Sequence, residues 1–187
     1  YTPGPADIAA GSVVLTLTAT SEGVCPPVSD DMTLSITAAP TVFAGDDAEI
    51  CETDTYLIAD ATADNYSSLM WATGGDGSFD DPTLLNPVYT PGPGDITLGY
   101  AVLSLTAYGN TPCPDVSDDM TLTITTAPTA YAGPDDEICE TAGSYTLADA
   151  MASNYAGLLW TTSGDGSFNF DDILNPVYTP GTGDISN

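Results

Sequence analysis

WATGGDGSFDDPTLLNPVYTPGPGDI, residues 71–96, returns as WTTSGDGSFNFDDILNPVYTPGTGDI at residues 160–185, and its tail alone opens the chain as YTPGPADI at residues 1–8. Each full copy reads as a Trp strand, a Gly-Asp-Gly turn, an Asn-Pro-Val-Tyr strand and a Pro-Gly loop. The equivalent pairs Cys25/Cys113 and Cys51/Cys139 fix a repeat of about 88 residues. One extra residue enters where TAGSY replaces TDTY, an insertion of the kind turns accept. A period this long exceeds the roughly 20–45 residues of stacked solenoid units and fits a tandem of small domains.

Working outward, SVVLTLTAT at residues 12–20 alternates Val13, Leu15 and Leu17 against Thr16, Thr18 and Thr20. Period-two alternation is the pattern of a half-buried strand. MTLSIT at residues 32–37 repeats it, and the Gly/Pro/Asp-rich residues 21–31 between them close a hairpin that recurs at residues 102–125. Further strands are expected at residues 41–51, 56–59 and 69–73. Sustained 3.6-residue periodicity is absent, so helix content is expected near zero. The fold class is all-β.

Module boundaries follow from the repeat. Residues 1–39 carry the last strands of one module, 40–126 a complete module, and 127–187 the first strands of a third. The two partial pieces complement each other, and each leaves strand edges and half a core open. They are expected to meet, along a longer chain or between successive copies.

The chain holds 27 acids and no Lys, Arg or His among 187 residues. Nucleic acid is excluded as a direct partner, because no cation can neutralise phosphate, and anionic membrane surfaces are excluded alike. No apolar run reaches the roughly 20 residues that span a bilayer, so membrane insertion is not expected. No basic leader precedes the first strands, and the chain is expected to be a processed product or a window of a longer one. With no Lys or Arg to cut at, trypsin finds no site, which suits an extracellular or cell-surface molecule.

The pattern AGxDxxIC, LxWxTxGDGSF, NPVYTPG, LxLTA and CPxVSDxMTLTI resembles two related groups. One is the polycystic-kidney-disease (PKD) type of immunoglobulin-like domain; the other is the tandem repeats of giant secreted surface adhesins of Bacteroidetes-type bacteria. The resemblance covers the whole chain. It implies tandem immunoglobulin-like β-sandwiches serving as an extracellular spacer, with Trp71 and Trp160 in the core. Ala-Thr after Trp71 departs from the usual PKD pattern.

Four cysteines, Cys25, Cys51, Cys113 and Cys139, in a secreted-looking chain point to disulfides. Cys51 ends the first strand of the full module, and Cys113 sits in its last hairpin loop. Five strands between them place the two at opposite poles, roughly 25 Å apart, whereas a disulfide needs Cα atoms within about 7 Å. One pairing crosses the junction, Cys51 to the next copy's Cys25 and Cys139 to its Cys113; the other is Cys51–Cys113 within a module. Asp46, Asp47, Asp76, Asp80 and Asp81 form the dense carboxylate groups. They are calcium candidates by chemistry and solvated turn residues by composition; none fits the spaced Asp-x-Asp-x-Asp-Gly loop.

Catalysis is not expected: no His or Lys stands ready to activate a hydroxyl or thiol, and no cofactor is required. Asn65-Tyr66-Ser67 fits the N-glycosylation triplet, while the equivalent Asn154-Tyr155-Ala156 does not. Three functions remain: a structural module assembled head to tail, an adhesin segment binding a glycan or protein, and a spacer beside a secreted hydrolase. Near-identical loops in the two copies favour the first.

Overall fold

A computed structural model describes residues 1–185. It divides into two compact units, Tyr1–Thr125 and Thr126–Asn187.

In the first unit, helix α1 (Pro5–Ala10) precedes strands β1 (Ser12–Ala19) and β2 (Val28–Ser35), which form a two-stranded antiparallel hairpin in register Leu15 to Met32 and Leu17 to Asp30. Then follow β3 (Thr41–Phe43), β4 (Ala48–Cys51), β5 (Tyr56–Leu57), β6 (Thr62–Asp64), β7 (Tyr66–Thr73), β8 (Ser78–Phe79) and β9 (Val88–Thr90). Helix α2 (Pro93–Leu98) leads into β10 (Tyr100–Gly109) and β11 (Val116–Thr125). One layer of the sandwich is the four-stranded sheet β4-β11-β10-β7; the other is built from β3-β6 and β5-β9-β8. The core between them gathers Ala44, Ile58, Ala61, Leu69, Trp71 and Tyr89 with seven side chains of the β10–β11 hairpin, Ala101, Leu103, Leu105, Ala107, Met120, Leu122 and Ile124. Trp71, Phe79 and Tyr89 stack in series, with ring centroids 5.7 and 5.0 Å apart.

The second unit repeats the front half of this plan: β12 (Thr129–Tyr131), β13 (Tyr145–Thr146), β14 (Met151–Ser153), β15 (Ser167–Phe168), β16 (Val177–Thr179) and helix α3 (Thr182–Ile185). A short 3-10 turn, Glu140–Ala142, stands just before β13. Here β12 pairs with β14, and β13-β16-β15 form a three-stranded sheet. The equivalents of β4 and β7, residues 136–139 and 155–162, are not strand. In the complete module those two strands pair with β11 and β10.

Three expectations are corrected. Helices are present: the Pro-Gly loop closes into a turn and a half, because Pro stands at the first helical position, Asp three residues after the N-cap, and Gly11 or Gly99 ends the helix at φ 72° or 79°. A six-residue helix is too short for 3.6-residue periodicity to register. The single strand expected over residues 41–51 is two, β3 and β4, in different layers; Gly45 at φ 105° makes the switch. The last strand of each hairpin starts at Val28 or Val116, earlier than expected, so Asp30, Asp31, Asp118 and Asp119 are strand residues. The Asp118 carboxylate accepts the Ala44 N–H at 2.9 Å and so ties β3 across the sandwich.

Candidate functional site

The β1–β2 hairpin duplicates β10–β11 in sequence and register, yet its surroundings differ. Leu105 is 0% exposed and Met120 1%, whereas their equivalents Leu17 and Met32 are 77% and 56% exposed. Both long edges of the β10–β11 pair are occupied: β7 lies antiparallel along β10, and β4 lies parallel along β11 with Thr125 opposite Cys51. Among the described residues, β1 and β2 pair only with each other. A two-stranded hairpin with an apolar face is marginal in water on its own.

The second unit also leaves apolar side chains uncovered. Trp71 is 2% exposed in the complete module; Trp160, its equivalent, is half-buried although it keeps a ring neighbour and an indole acceptor of the same kind. Its ring lies 6.1 Å from Phe168 and its indole N–H donates to the Ile173 carbonyl at 3.0 Å. The expectation of a core Trp160 is thus corrected, because no equivalent of β10–β11 covers it within this unit. Leu159 stands 73% exposed. An apolar trough of about 210 Å³ runs along Ala130, Ala150, Leu158, Trp160 and Leu174, on the face that Leu103 and Leu105 would fill in a complete module.

The four cysteines stand at the ends of these modules, all as free thiols. Cys51 is paired in register with Thr125, the last residue of β11, whereas Cys113 precedes the first residue of that strand. Ten residues of strand separate them by roughly 30 Å, far beyond disulfide reach. The Cys113 thiol instead contacts the chain leaving the β1–β2 hairpin, 3.4 Å from the Thr37 carbonyl and 3.6 Å from that of Ala38. Cys139 lies beside Thr141, whose hydroxyl is 3.1 Å from the sulfur; that contact, with the Thr141 N–H, holds the thiol below its ordinary pKa.

The structure separates the calcium candidates. The Asp47 carboxylate accepts Thr121 N–H at 2.7 Å. Asp76 accepts Gly94 and Asp95 N–H groups, Asp80 those of Asp81 and Val88, and Asp81 the Thr83 N–H and hydroxyl. Asp46 lends its N–H to Asp60. No three acidic or thiol groups among the described residues come close enough to hold a metal ion. These carboxylates tie turns: with no Lys or Arg in the chain, backbone N–H groups are their partners. Asn65 has φ 58° and donates its amide to the Ala39 carbonyl, as Asn154 at φ 54° does to Ala127. Both turn residues use the left-handed conformation Asn tolerates, so the amide of the glycosylation triplet is engaged in the fold.

The residue that composition does not reveal is Asp95. It is fully buried and accepts the Tyr89 hydroxyl at 2.6 Å and the N–H groups of Gly77, Gly92 and Asp76 at 3.0, 3.0 and 3.3 Å. Burial alone would raise its pKa, but these four donors outweigh burial and hold it below the usual carboxylate value. Tyr89 is pushed up to about 12, by burial first and then by the carboxylate it bonds. Asp95 thereby locks the Gly-Asp-Gly turn to helix α2, the scaffold from which β10 starts. Asp184 repeats the arrangement with Tyr178 and Gly181, and Asp7 bonds Tyr1 and Gly4 at the surface. The signal in the sequence was an Asp at the third position of the turn that follows Pro-Gly, recurring in all three copies as Asp7, Asp95 and Asp184.

No family model matches the chain, and no curated protein does. Solved structures similar to it include three protocadherin extracellular fragments. Protocadherin gamma B2 extracellular cadherin domains 3–6 match at 15% identity and TM-score 0.42, over 93% of this chain and 52% of that one. The protocadherin gammaB4 extracellular domain matches at 16% and 0.44, over 97% and 36%. The protocadherin gammaB7 EC3–6 cis-dimer structure matches at 16% and 0.42, over 92% and 52%. The chain thus spans about half, or less, of the length of each. Among the described residues, no helix is long and apolar enough to cross a membrane.

Proposed function

We propose that the chain is a structural repeat module of an extracellular filament or long surface adhesin, assembled head to tail. The β1–β2 hairpin of one copy completes the half module, residues 127–187, of the copy before it. One observation carries this reading: Leu17 and Met32 stand exposed where Leu105 and Met120, in the same sequence context and register, are core. The complete module supplies the template for the joint. Hairpin residues Val13, Leu15, Leu17, Met32, Leu34 and Ile36 take the places of Ala101, Leu103, Leu105, Met120, Leu122 and Ile124.

Residues 1–10 and 178–187 are copies of the same segment, and only one can occupy the completed module. Asp184 ties Tyr178 and Gly181 to the Asp165 turn of the second unit, whereas Asp7 bonds Tyr1 and Gly4 of its own segment. Helix α1 is the one that yields.

Fluorescence tests the reading. In a Trp71→Phe variant Trp160 is the only indole, and its emission moves to the blue as protein concentration rises and electron micrographs show filaments. A Trp160 spectrum independent of concentration, with single particles at every concentration, refutes it.

A further inference from the structure

We infer that each junction between successive copies is closed by two disulfides, Cys139 of one copy to Cys113 of the next and Cys51 of the first to Cys25 of the next. The inference rests on the head-to-tail reading and adds to it a covalent partner for every thiol in the chain.

The complete module shows where the incoming cysteine lands. Its β4 runs parallel to β11 with Cys51 opposite Thr125, and the Glu52 N–H donates to the Thr125 carbonyl at 2.9 Å. One repeat earlier the equivalent of Thr125 is Thr37, at the end of the β1–β2 hairpin. The equivalents of Cys51 and Glu52 are Cys139 and Glu140. When residues 136–139 of a second copy line β2 as β4 lines β11, Cys139 comes to rest opposite Thr37 and the Glu140 N–H reaches the Thr37 carbonyl.

That carbonyl is the group the Cys113 thiol already touches, at 3.4 Å. Two groups held at 2.9 and 3.4 Å from one oxygen are at most about 6 Å apart, and the Glu140 nitrogen is joined to the Cys139 Cα through the Cys139 carbonyl carbon, two bonds away. The two cysteines thus converge on one carbonyl oxygen, and side-chain rotation closes the bridge, which needs Cα atoms about 4.4–6.8 Å apart. The local chain agrees as well. After each cysteine the same turn closes, Asp54 N–H to Cys51 carbonyl at 2.9 Å and Ala142 N–H to Cys139 carbonyl at 2.8 Å. By the same repeat, Cys25 of the next copy stands to Thr125 as Cys113 stands to Thr37, and Cys51 is already beside Thr125.

The bonds form by thiol–disulfide exchange with a small disulfide such as oxidised glutathione, which is the two-electron acceptor. The Cys139 thiolate attacks one sulfur of the small disulfide and expels the first thiolate, which takes up the proton Cys139 has lost. The Cys113 thiolate then attacks the Cys139 sulfur of the mixed disulfide. This forms the Cys113–Cys139 bond and releases the second small thiolate, which takes up the Cys113 proton. Two thiols are oxidised and one small disulfide is reduced to two thiols. The lowered pKa of Cys139 favours it as the first attacker.

The experiment mixes equal amounts of ordinary and nitrogen-15-labelled full-length chain, lets them assemble, and adds oxidised glutathione. Digestion with a protease that cleaves after Asp and Glu, without reductant, is followed by mass spectrometry. The expected result is Cys113–Cys139 and Cys25–Cys51 peptides, half of each pair carrying one labelled and one unlabelled partner. A non-reducing gel shows a ladder that collapses to a single band with thiol, and reactive thiols fall from four per chain to those at filament ends. Filaments whose four thiols stay free, or whose linked peptides are isotopically pure, overturn the staples and leave the assembly standing. Absence of filaments under the microscope overturns the assembly reading and the staples with it. A Cys25→Ser/Cys113→Ser variant separates the two further: it assembles, gives no ladder, and dissociates on dilution.

Discussion

Replacing Leu17 by Ala separates a hairpin that is waiting for a partner from one that is merely exposed. In the single chain Leu17 is 77% exposed, so its loss falls in the range of surface substitutions, about 0.5 kcal/mol or less. At the joint it takes the place of Leu105, which is 0% exposed and sits in the core between the two layers. Removing a leucine from such a site costs about 2–5 kcal/mol, the lost transfer energy plus the cavity left behind. Because about 1.4 kcal/mol is a factor of ten, Leu17→Ala should weaken assembly by roughly 30-fold to several thousand-fold. Its thermal melt in dilute solution should not move. Leu105→Ala is the mirror control: it should lower the melting temperature of the dilute chain by about 10 °C or more. Sedimentation velocity over a concentration series reads the first effect, and calorimetry at low concentration reads the second. If Leu17→Ala lowers the dilute melt as far as Leu105→Ala does, the hairpin is already covered within one chain. If it leaves the sedimentation series unchanged, Leu17 is no part of a joint. Either result refutes the complementation.

The Tyr89 pKa of about 12 lies some two units above the ordinary value of 10, so the neutral hydroxyl contributes about 2–3 kcal/mol that is fully present below pH 10 and lost as pH rises through 12; alkaline denaturation followed by circular dichroism should lose this step in Tyr89→Phe. Asp95, held below its ordinary pKa, contributes stability that is present above about pH 4 and lost as pH falls through its lower folded value; an Asp95→Asn variant, lower in stability at pH 7, should show a shallower acid transition. Gly75→Ala should destabilise the first unit severely, because a Cβ there would lie 1.6 Å from the Asp95 carboxylate oxygen; a melt within about 2 °C of the parent would contradict that close packing. Deleting residues 1–10 should leave assembly as tight or tighter by sedimentation, since α1 competes with residues 178–187 for one place, and raising salt from about 0.01 to 0.15 M should strengthen assembly as the Debye length shrinks from about 30 to 8 Å.

Much of this fold was legible because strands announce themselves by alternation. Leu15, Leu17, Leu103 and Leu105 could be placed on an inward face from spacing alone, and the repeat assigned equivalents across the chain. Context was not legible in the local pattern, only in the repeat boundaries that leave half a core open at residues 127–187. Trp71 and Trp160 sit in the same local sequence, and one is core while the other is half-buried; burial depends on whether a β10–β11 hairpin follows, a long-range fact that local pattern does not carry. Short helices escaped because six residues hold less than two turns. Their Pro, Asp and Gly were present in the sequence, but a capping pattern reads equally well as a loop. Asp95 escaped for a different reason: composition treats an acid as surface, and only the convergence of Tyr89, Gly77, Gly92 and Asp76 makes a fully buried carboxylate tolerable.

That tolerance has a wider consequence for how such a chain can assemble. A chain with 27 acids and no side-chain cation cannot steer a second copy onto itself by charge complementarity, and any approach of two copies is repulsive until they touch. The proposed joint would therefore draw on what acts at contact: apolar burial by Leu17 and Met32, backbone ladders along β1 and β2, and bonds between sulfurs. The first two are reversible and of moderate strength, opposed by the charge of every added copy. A covalent closure removes that opposition as a limit on length, since a linked junction no longer answers to dilution or to low salt. The contact of Cys113 with the Thr37 carbonyl in the uncombined chain fits this order of events. In the proposed assembly the thiol would stand at the docking edge before the partner arrives, and would be oxidised once the ladder has set the register.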